Sequence, residues 1–335
     1  MVFMVVVAGM TASLAWGTAP GRSGKLAFRR YLDKDHTWSA LFTANPDGAG
    51  VRQITRPARR VLDIEPDWSP NGKQLVFQRV SLDGCGPDCE TDEIYRVDSD
   101  GSGLTALAHD ESGKGCTMRD QPAGGVCRGV PTWSPNGKQI AFECAVLTAA
   151  ATNPYLGRIC VMNADGSDVR QLPQSPGVGV GDSAPAWSPD GRRIAFQRVQ
   201  GDRDAVFVMN ADGSGPRRVS PWALRAGQPD WSPDGGRILF YSNWGGPTSV
   251  SANLYAISPK GAGLKQLTHA RGGKVQHLSA TFSPDGKSIA FGRTPGTGKE
   301  GNADIFTMRA DGTRVRNVTR SPSWDSGVDW GPRPR

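Results

Sequence analysis

Long amphipathic helical patterns are missing from this chain. No stretch repeats its apolar residues at the three-and-four spacing that lays a stripe along a helix, so almost no helix is expected. Histidine is scarce, with four in 335 residues (His36, His109, His269 and His277). The six cysteines never fall in C-x-x-C spacing and lie far from those histidines, so a zinc cluster does not fit. No G-x-S-x-G pentapeptide occurs, which excludes a nucleophile elbow and the Ser-His-Asp catalysis that depends on one. Asp98-Ser99-Asp100-Gly101 begins like a calcium loop but lacks the twelve-residue ligand pattern with its closing glutamate. Turn chemistry accounts for these Asp-Gly pairs.

What the chain does have is 43 glycines and 25 prolines without a collagen-like period, a composition suited to many short strands and tight turns. The formal charge is +7, from 39 basic and 32 acidic residues. The basic residues recur at turn-flanking positions, as in Asp190-Gly191-Arg192-Arg193, and form no single stripe interleaved with aromatics. A solvated surface is expected, and no nucleic-acid partner. Residues 1–19 stand apart. Val2 to Trp16 is an apolar run too short for a comfortable membrane span, and Gly17-Thr18-Ala19-Pro20 offers a small-residue cleavage site. A signal peptide or N-terminal anchor is therefore expected, with export to the periplasm, cell surface or medium, and membrane contact only through an uncleaved N-terminus. The even cysteine count agrees with an oxidising compartment.

Five segments repeat: Trp68-Ser-Pro-Asn-Gly-Lys, Trp133-Ser-Pro-Asn-Gly-Lys, Trp187-Ser-Pro-Asp-Gly-Arg, Trp231-Ser-Pro-Asp-Gly-Gly and Phe282-Ser-Pro-Asp-Gly-Lys. Each precedes a short apolar run such as Ile194-Ala195-Phe196, and the Asx-Gly pair supplies the positive φ of a tight hairpin. A second hairpin follows in each unit, opening for example at Val206-Phe207 and turning at Asp212-Gly213. Four antiparallel strands per unit of about 50 residues make a propeller blade. Residues 25–55 carry strands two to four of a further blade, whose first strand reappears as Val328-Asp329-Trp330-Gly331-Pro332. An all-β, six-bladed β-propeller follows, with its ring closed by the C-terminal strand. Blade one spans 24–57 plus 325–333, blade two 63–110, blade three 128–175, blade four 182–220, blade five 226–270 and blade six 277–320, in a single domain over 24–335.

The Trp-Ser-Pro-Asp-Gly-Lys-x-Ile-Ala-Phe run, with Met-Asn-Ala-Asp-Gly-Ser downstream, resembles the repeats of TolB-like propellers over residues 25–335. TolB proteins carry an additional N-terminal α/β domain, which is not expected in the residues before the first blade here. The resemblance implies a non-catalytic module that binds a protein, a peptide or a cell-envelope component, working as a monomer without a cofactor. The alternative is a lyase or hydrolase acting on an acidic polysaccharide through a polar or metal-binding tunnel mouth. TolB-like propellers include pectate-degrading lyases whose metal is held largely by histidines, and here His277 alone stands at a plausible channel position.

Two sets of residues carry site expectations. Cys144 and Cys160 lie in one hairpin and are expected to pair. Cys116 with Cys127 and Cys85 with Cys89 are the next pairs, for three disulfides in all. The binding site is expected on the face of long, variable loops (79–93, 108–130 and 241–253), because variable loops on a rigid scaffold are where function sits. Five residues before each motif aromatic, where the inner strand begins, stand Asp325, Asp63, Arg128, Asp182, Ala226 and His277 in blades one to six. They are expected to converge on the tunnel mouth, with Asp329, Asp67 and Asp230 further inward. Two readings stay open for these aspartates. They cap strand ends structurally, or they form a polar docking site for a cationic peptide or a divalent cation.

Overall fold

The computed structural model describes residues 20–83, 91–108, 126–146, 157–173, 179–242, 252–270, 275–295 and 302–334. Six inner strands stand around a central bore: Asp325–Pro332, Val61–Trp68, Val126–Trp133, Val180–Trp187, Ala226–Trp231 and Val275–Phe282, for blades one to six. Each touches the next in that order, and the first touches the last. Blade four shows the common plan, running outward through Val180–Trp187, Arg193–Gln200, Arg203–Asn210 and Arg217–Arg218, all antiparallel. A three-residue 3-10 turn at Trp222–Leu224 is the one helical element among the described residues.

The ring closes as the repeat pattern predicts. The C-terminal inner strand pairs antiparallel with Ser23–Tyr31, matching Leu26 to Trp330 and Arg30 to Asp325. Blades one and two are further bridged by a parallel pair, Ser39 with Leu62. Where the other blades have Ser after the motif aromatic, blade one has Gly331. A Cβ there would lie 2.4 Å from the Trp68 ring, so the closing strand can approach its neighbour only without one.

The repeated motif works as a self-contained turn. In blade two, Ser69 Oγ donates to Asn71 Oδ1 at 2.8 Å and accepts from the Gln74 N–H at 2.9 Å. Asn71 Oδ1 also accepts from the Lys73 N–H, and Gly72 takes a φ of +68°. Blades three to six repeat these bonds with Asn136, Asp190, Asp234 and Asp285. The apolar run after each turn fills the space between blades. Phe28, Phe77, Phe142, Phe196, Phe240 and Phe291, one from each second strand, are all fully buried. Burying an aromatic of that size is worth about 1.5–3 kcal/mol.

The inner strands differ from expectation at their start. In blades two, three, four and six they begin seven residues before the aromatic, not five, so Asp63, Arg128, Asp182 and His277 sit inside paired strands. Every inner strand then breaks register three residues before the aromatic. At this bulge Glu65, Val130, Ala184, Gln228, Ser279 and Gly327 all adopt left-handed φ angles of 46° to 59°. Proline follows at Pro66, Pro131, Pro185 and Pro229. Proline lacks the N–H that an unbroken ladder needs, and a bulge is where a strand tolerates it.

Candidate functional site

The bulges set the wall of the bore. The pocket at its loop-side end is lined by the three positions preceding each motif aromatic, including Glu65, Gln228, Ser279 and the aspartates Asp67, Asp230 and Asp329. Ser279 Oγ donates to Gln228 Oε1 at 3.3 Å across the gap between blades five and six. Left-handed conformations are uncommon for residues with a side chain, and for a β-branched residue such as Val130 they are strained. They recur in all six blades, at the bulge of each repeated inner strand.

The outer set of expected site residues does not face this wall. Asp63, Asp182 and Asp325 are at most 2% exposed and point across their own blade to the second strand. There each meets an arginine in a two-pronged ion pair. Arg79 reaches Asp63 at 2.6 and 2.9 Å, Arg198 reaches Asp182 at 2.6 and 2.7 Å, and Arg30 reaches Asp325 at 2.7 and 2.8 Å. Burial pushes the Asp63 and Asp325 carboxyls above their ordinary pKa, and the arginine beside each pulls in the opposite direction. The three carboxylates expected at the mouth are thus neutralised within their own blades, and Ala226 in blade five offers no polar group. Arg128 pairs in register with Cys144. His277 is buried, with Nδ1 3.3 Å from the Ala252 carbonyl oxygen. Burial first, and then Arg293, bring its pKa down to about 4 despite that bond, so the ring is neutral at physiological pH.

The inner aspartates do reach the bore, and each latches one blade to the next. Asp329 of blade one accepts the backbone N–H of Trp68, Asp67 that of Trp133, and Asp230 that of Phe282, at 2.7–2.8 Å. Thr281 Oγ1 donates to Asp329 at 3.2 Å, carrying the chain of contacts from blade six to blade one. These residues are partly exposed, and they line the bore. Burial raises all three carboxyl pKa values. Asp230 reaches about 7, through burial first and then the charge of Asp329. Among the described residues, no three His, Cys, Asp or Glu side chains stand close enough together to hold one metal ion.

The expected Cys144–Cys160 disulfide is present, with a Cα–Cα distance of 5.8 Å. It runs diagonally, since Cys160 is in register with Phe142 and Cys144 with Arg158. Cys85, Cys89, Cys116 and the side chain of Cys127 lie outside the described residues, as do most of the long loops on which the site was expected. Asp98–Gly101 is a hairpin turn, in which the Gly101 N–H donates to the Asp98 carbonyl at 2.8 Å. Sequence reasoning missed Glu65, Gln228 and Ser279. The X-Pro-x-aromatic pattern in four inner strands was the signal that marks the bulge.

A large cleft lies on the opposite face, over the tight turns. It has a volume of about 820 Å³ and lies between the motif turns of blades two and three and the segments Pro20–Arg22 and Pro332–Pro334.

A family profile described as the TolB beta propeller domain matches residues 123–251. The chain is 26% identical over 230 residues to an uncharacterized peptidase of Bacillus subtilis, covering 68% of this chain and 29% of that protein. It is 31% identical over 149 residues to a TolB homolog of Chlorobium luteolum, covering 43% of this chain and 29% of that protein. The chain therefore spans under a third of the length of either relative. The crystal structure of TolB from Acinetobacter baumannii superimposes with a TM-score of 0.67 at 17% identity, over 92% of this chain and 67% of that one. At that identity the likeness is one of fold.

Proposed function

We propose that this chain, a TolB-like six-bladed β-propeller, is a non-catalytic binding module that acts outside the cytoplasm. In this reading its long-loop face and the mouth of its bore take up a protein or peptide of the cell envelope. The observation that carries it is the employment of the ionisable groups. Asp63, Asp182 and Asp325 are held by arginines, and Asp67, Asp230 and Asp329 accept backbone N–H groups of neighbouring blades. General acid–base catalysis needs a group poised to exchange a proton with a substrate. Here the carboxylates hold the ring together, and the bulge positions present neutral polar contacts at Gln228 and Ser279 beside Glu65. Such a rim suits recognition of a chain segment through hydrogen bonds.

Photo-crosslinking groups placed at Gln228 and Ser279 in cells test this reading. The expected result is one discrete envelope adduct that is absent when the group is placed at Lys287 on the turn face. Adducts of equal yield from both faces would overturn it. An acidic-polysaccharide enzyme would have to use His277 and a bound metal. Stoichiometric transition metal in the purified protein, together with cleavage of polygalacturonate that is lost in His277→Ala, would replace the binding reading with that one.

A further inference from the structure

The turn-face cleft holds a difference of charge that turn geometry does not require. The motif turn needs an acceptor oxygen at its third position, to receive the serine hydroxyl and a backbone N–H. Asp190, Asp234 and Asp285 supply it in blades four to six, whereas Asn71 and Asn136 supply it in blades two and three. Because Lys73 N–H and Lys138 N–H can only donate, each asparagine must turn Oδ1 inward, and its amide NH₂ faces outward. Neither amide nitrogen has a partner among the described residues, and both side chains are exposed. The same turn therefore shows a second carboxylate oxygen on one side of the disc, which in blade four lies 4.0 Å from Arg193, and a pair of N–H donors on the other.

The large cleft lies on the donor side. Its lining includes Arg22, Arg96 and Arg333 and no carboxylate. Arg96 donates through Nη1 to the Ala164 carbonyl, and its Nε has no hydrogen-bond partner. Neighbouring carboxylates are engaged: Asp98 accepts from Gln74, and Asp165 from Ser167. Between the cations the wall includes the apolar surfaces of Pro70, Pro135 and Trp133. A second cleft, over blades five and six, serves as an internal comparison. It is smaller, at about 360 Å³, and Asp234 and Asp285 line it beside Arg237. A cavity of about 300–1,000 Å³ is the usual size for a bound ligand, and the larger cleft sits high in that range.

We propose that the cleft between blades two and three is a docking site for an extended acidic peptide segment. Arg22, Arg96 and Arg333 meet its carboxylates, the outward amides of Asn71 and Asn136 donate to it, and the proline and indole surfaces carry its backbone. Charged hydrogen bonds of this kind set register and specificity at an interface. The site faces away from the long loops and does not depend on what binds there.

A fluorescein-labelled eight-residue peptide of alternating glutamate and proline, titrated onto the full chain by anisotropy, tests the proposal. The decisive variant is Asn71→Asp with Asn136→Asp, because aspartate already makes the same turn in blades four to six and the fold is retained. Affinity is expected to fall at least tenfold, with an unchanged melting curve. Asp234→Asn with Asp285→Asn, which changes the net charge by the same amount in the opposite direction on the other side, should leave it within twofold. Unchanged binding in the first variant would overturn the site. So would large and opposite shifts in the two variants, which would mean that binding follows net charge alone. Equal or tighter binding of oligothymidylate or polygalacturonate at the same cleft would overturn the peptide as its occupant. Crosslinking at Gln228 on the loop face should be the same in all variants, which separates failure here from failure of the reading above.

Discussion

In blade four the Arg198 guanidinium lies 5.2 Å from the ring centre of Phe196 and 4.8 Å from that of Phe207, and grips Asp182 on the inner strand. Blades one and two repeat this with Arg30 over Phe28 and Phe42, and with Arg79 over Phe77 and Tyr95. In blade three the two positions that hold Arg198 and Phe207 hold Cys144 and Cys160, which close a disulfide. The position of Asp182 is taken by Arg128, in register with Cys144. One location therefore ties the second strand to the third either by cation–π stacking and a buried ion pair or by a covalent bond. Without its arginine, a carboxylate buried in blade three would have had no partner, so the three positions had to change together. Blade five has neither device, with Ala226, Ser242 and Tyr255 in those places. The ring tolerates the simplest version as long as the aromatic core is kept.

The sharpest way to break the comparison is to strip one partner from a buried pair. Arg198→Met leaves Asp182, 2% exposed, without a counter-charge. The expected loss is about 3–5 kcal/mol in urea unfolding, because an uncompensated buried charge costs far more than the pair contributes. Adding Asp182→Ala to that variant should recover more than half of the loss. A double variant no more stable than the single one would mean that the pair is not the unit described.

Blade three should break next. Cys144→Ser with Cys160→Ser opens a loop with a sequence separation of 16 and is expected to cost about 3 kcal/mol. The matching check is the wild type and the double variant compared under the same reductant, where the difference between them should vanish.

Carboxylates that lack an arginine partner respond to pH in a third way. The Asp230 pKa is raised to about 7, so its contribution to stability is complete below the ordinary carboxyl value and is lost as pH rises through about 7. Asp230→Asn keeps an acceptor for the Phe282 N–H and removes the charge. It should be more stable than wild type at pH 8, by roughly 2 kcal/mol, with the gain gone at pH 4. A gain that does not depend on pH would place the effect outside ionisation.

The smallest effect is expected from converting one blade into the other. Arg128→Asp, Cys144→Arg and Cys160→Phe together rebuild the blade-four arrangement in blade three. The variant should stay within about 1.5 kcal/mol of wild type under the same non-reducing conditions, since three local changes agree with one another. A loss equal to that of the serine variant would show that the neighbours of blade three have adapted to the disulfide.

Much of this was legible in the residues. The five motif copies and the split first blade determine the blade count and the closing strand, because an Asx-Gly turn and a period-two apolar run admit few other structures. The Cys144–Cys160 pair was readable from their places in one hairpin. The Asp–Arg pairs were not, although Asp182 and Arg198 are 16 residues apart just as Asp63 and Arg79 are. That spacing acquires meaning only when the register of strands one and two is known, and the bulge at each X-Pro shifts that register.

The sequence by itself determined the repeat, its strands and turns and the disulfide seen among the described residues, since these depend on contacts within a blade, and it marked the aromatics that pack between blades. Only the tertiary structure decided what the aspartates do. A carboxylate at the start of an inner strand looks the same in sequence whether it faces water, a ligand or an arginine. Its role follows from which neighbour the closed ring brings within hydrogen-bonding distance. The same holds for the turn face, where Asn71 and Asn136 are ordinary turn residues until folding sets them beside Arg22, Arg96 and Arg333.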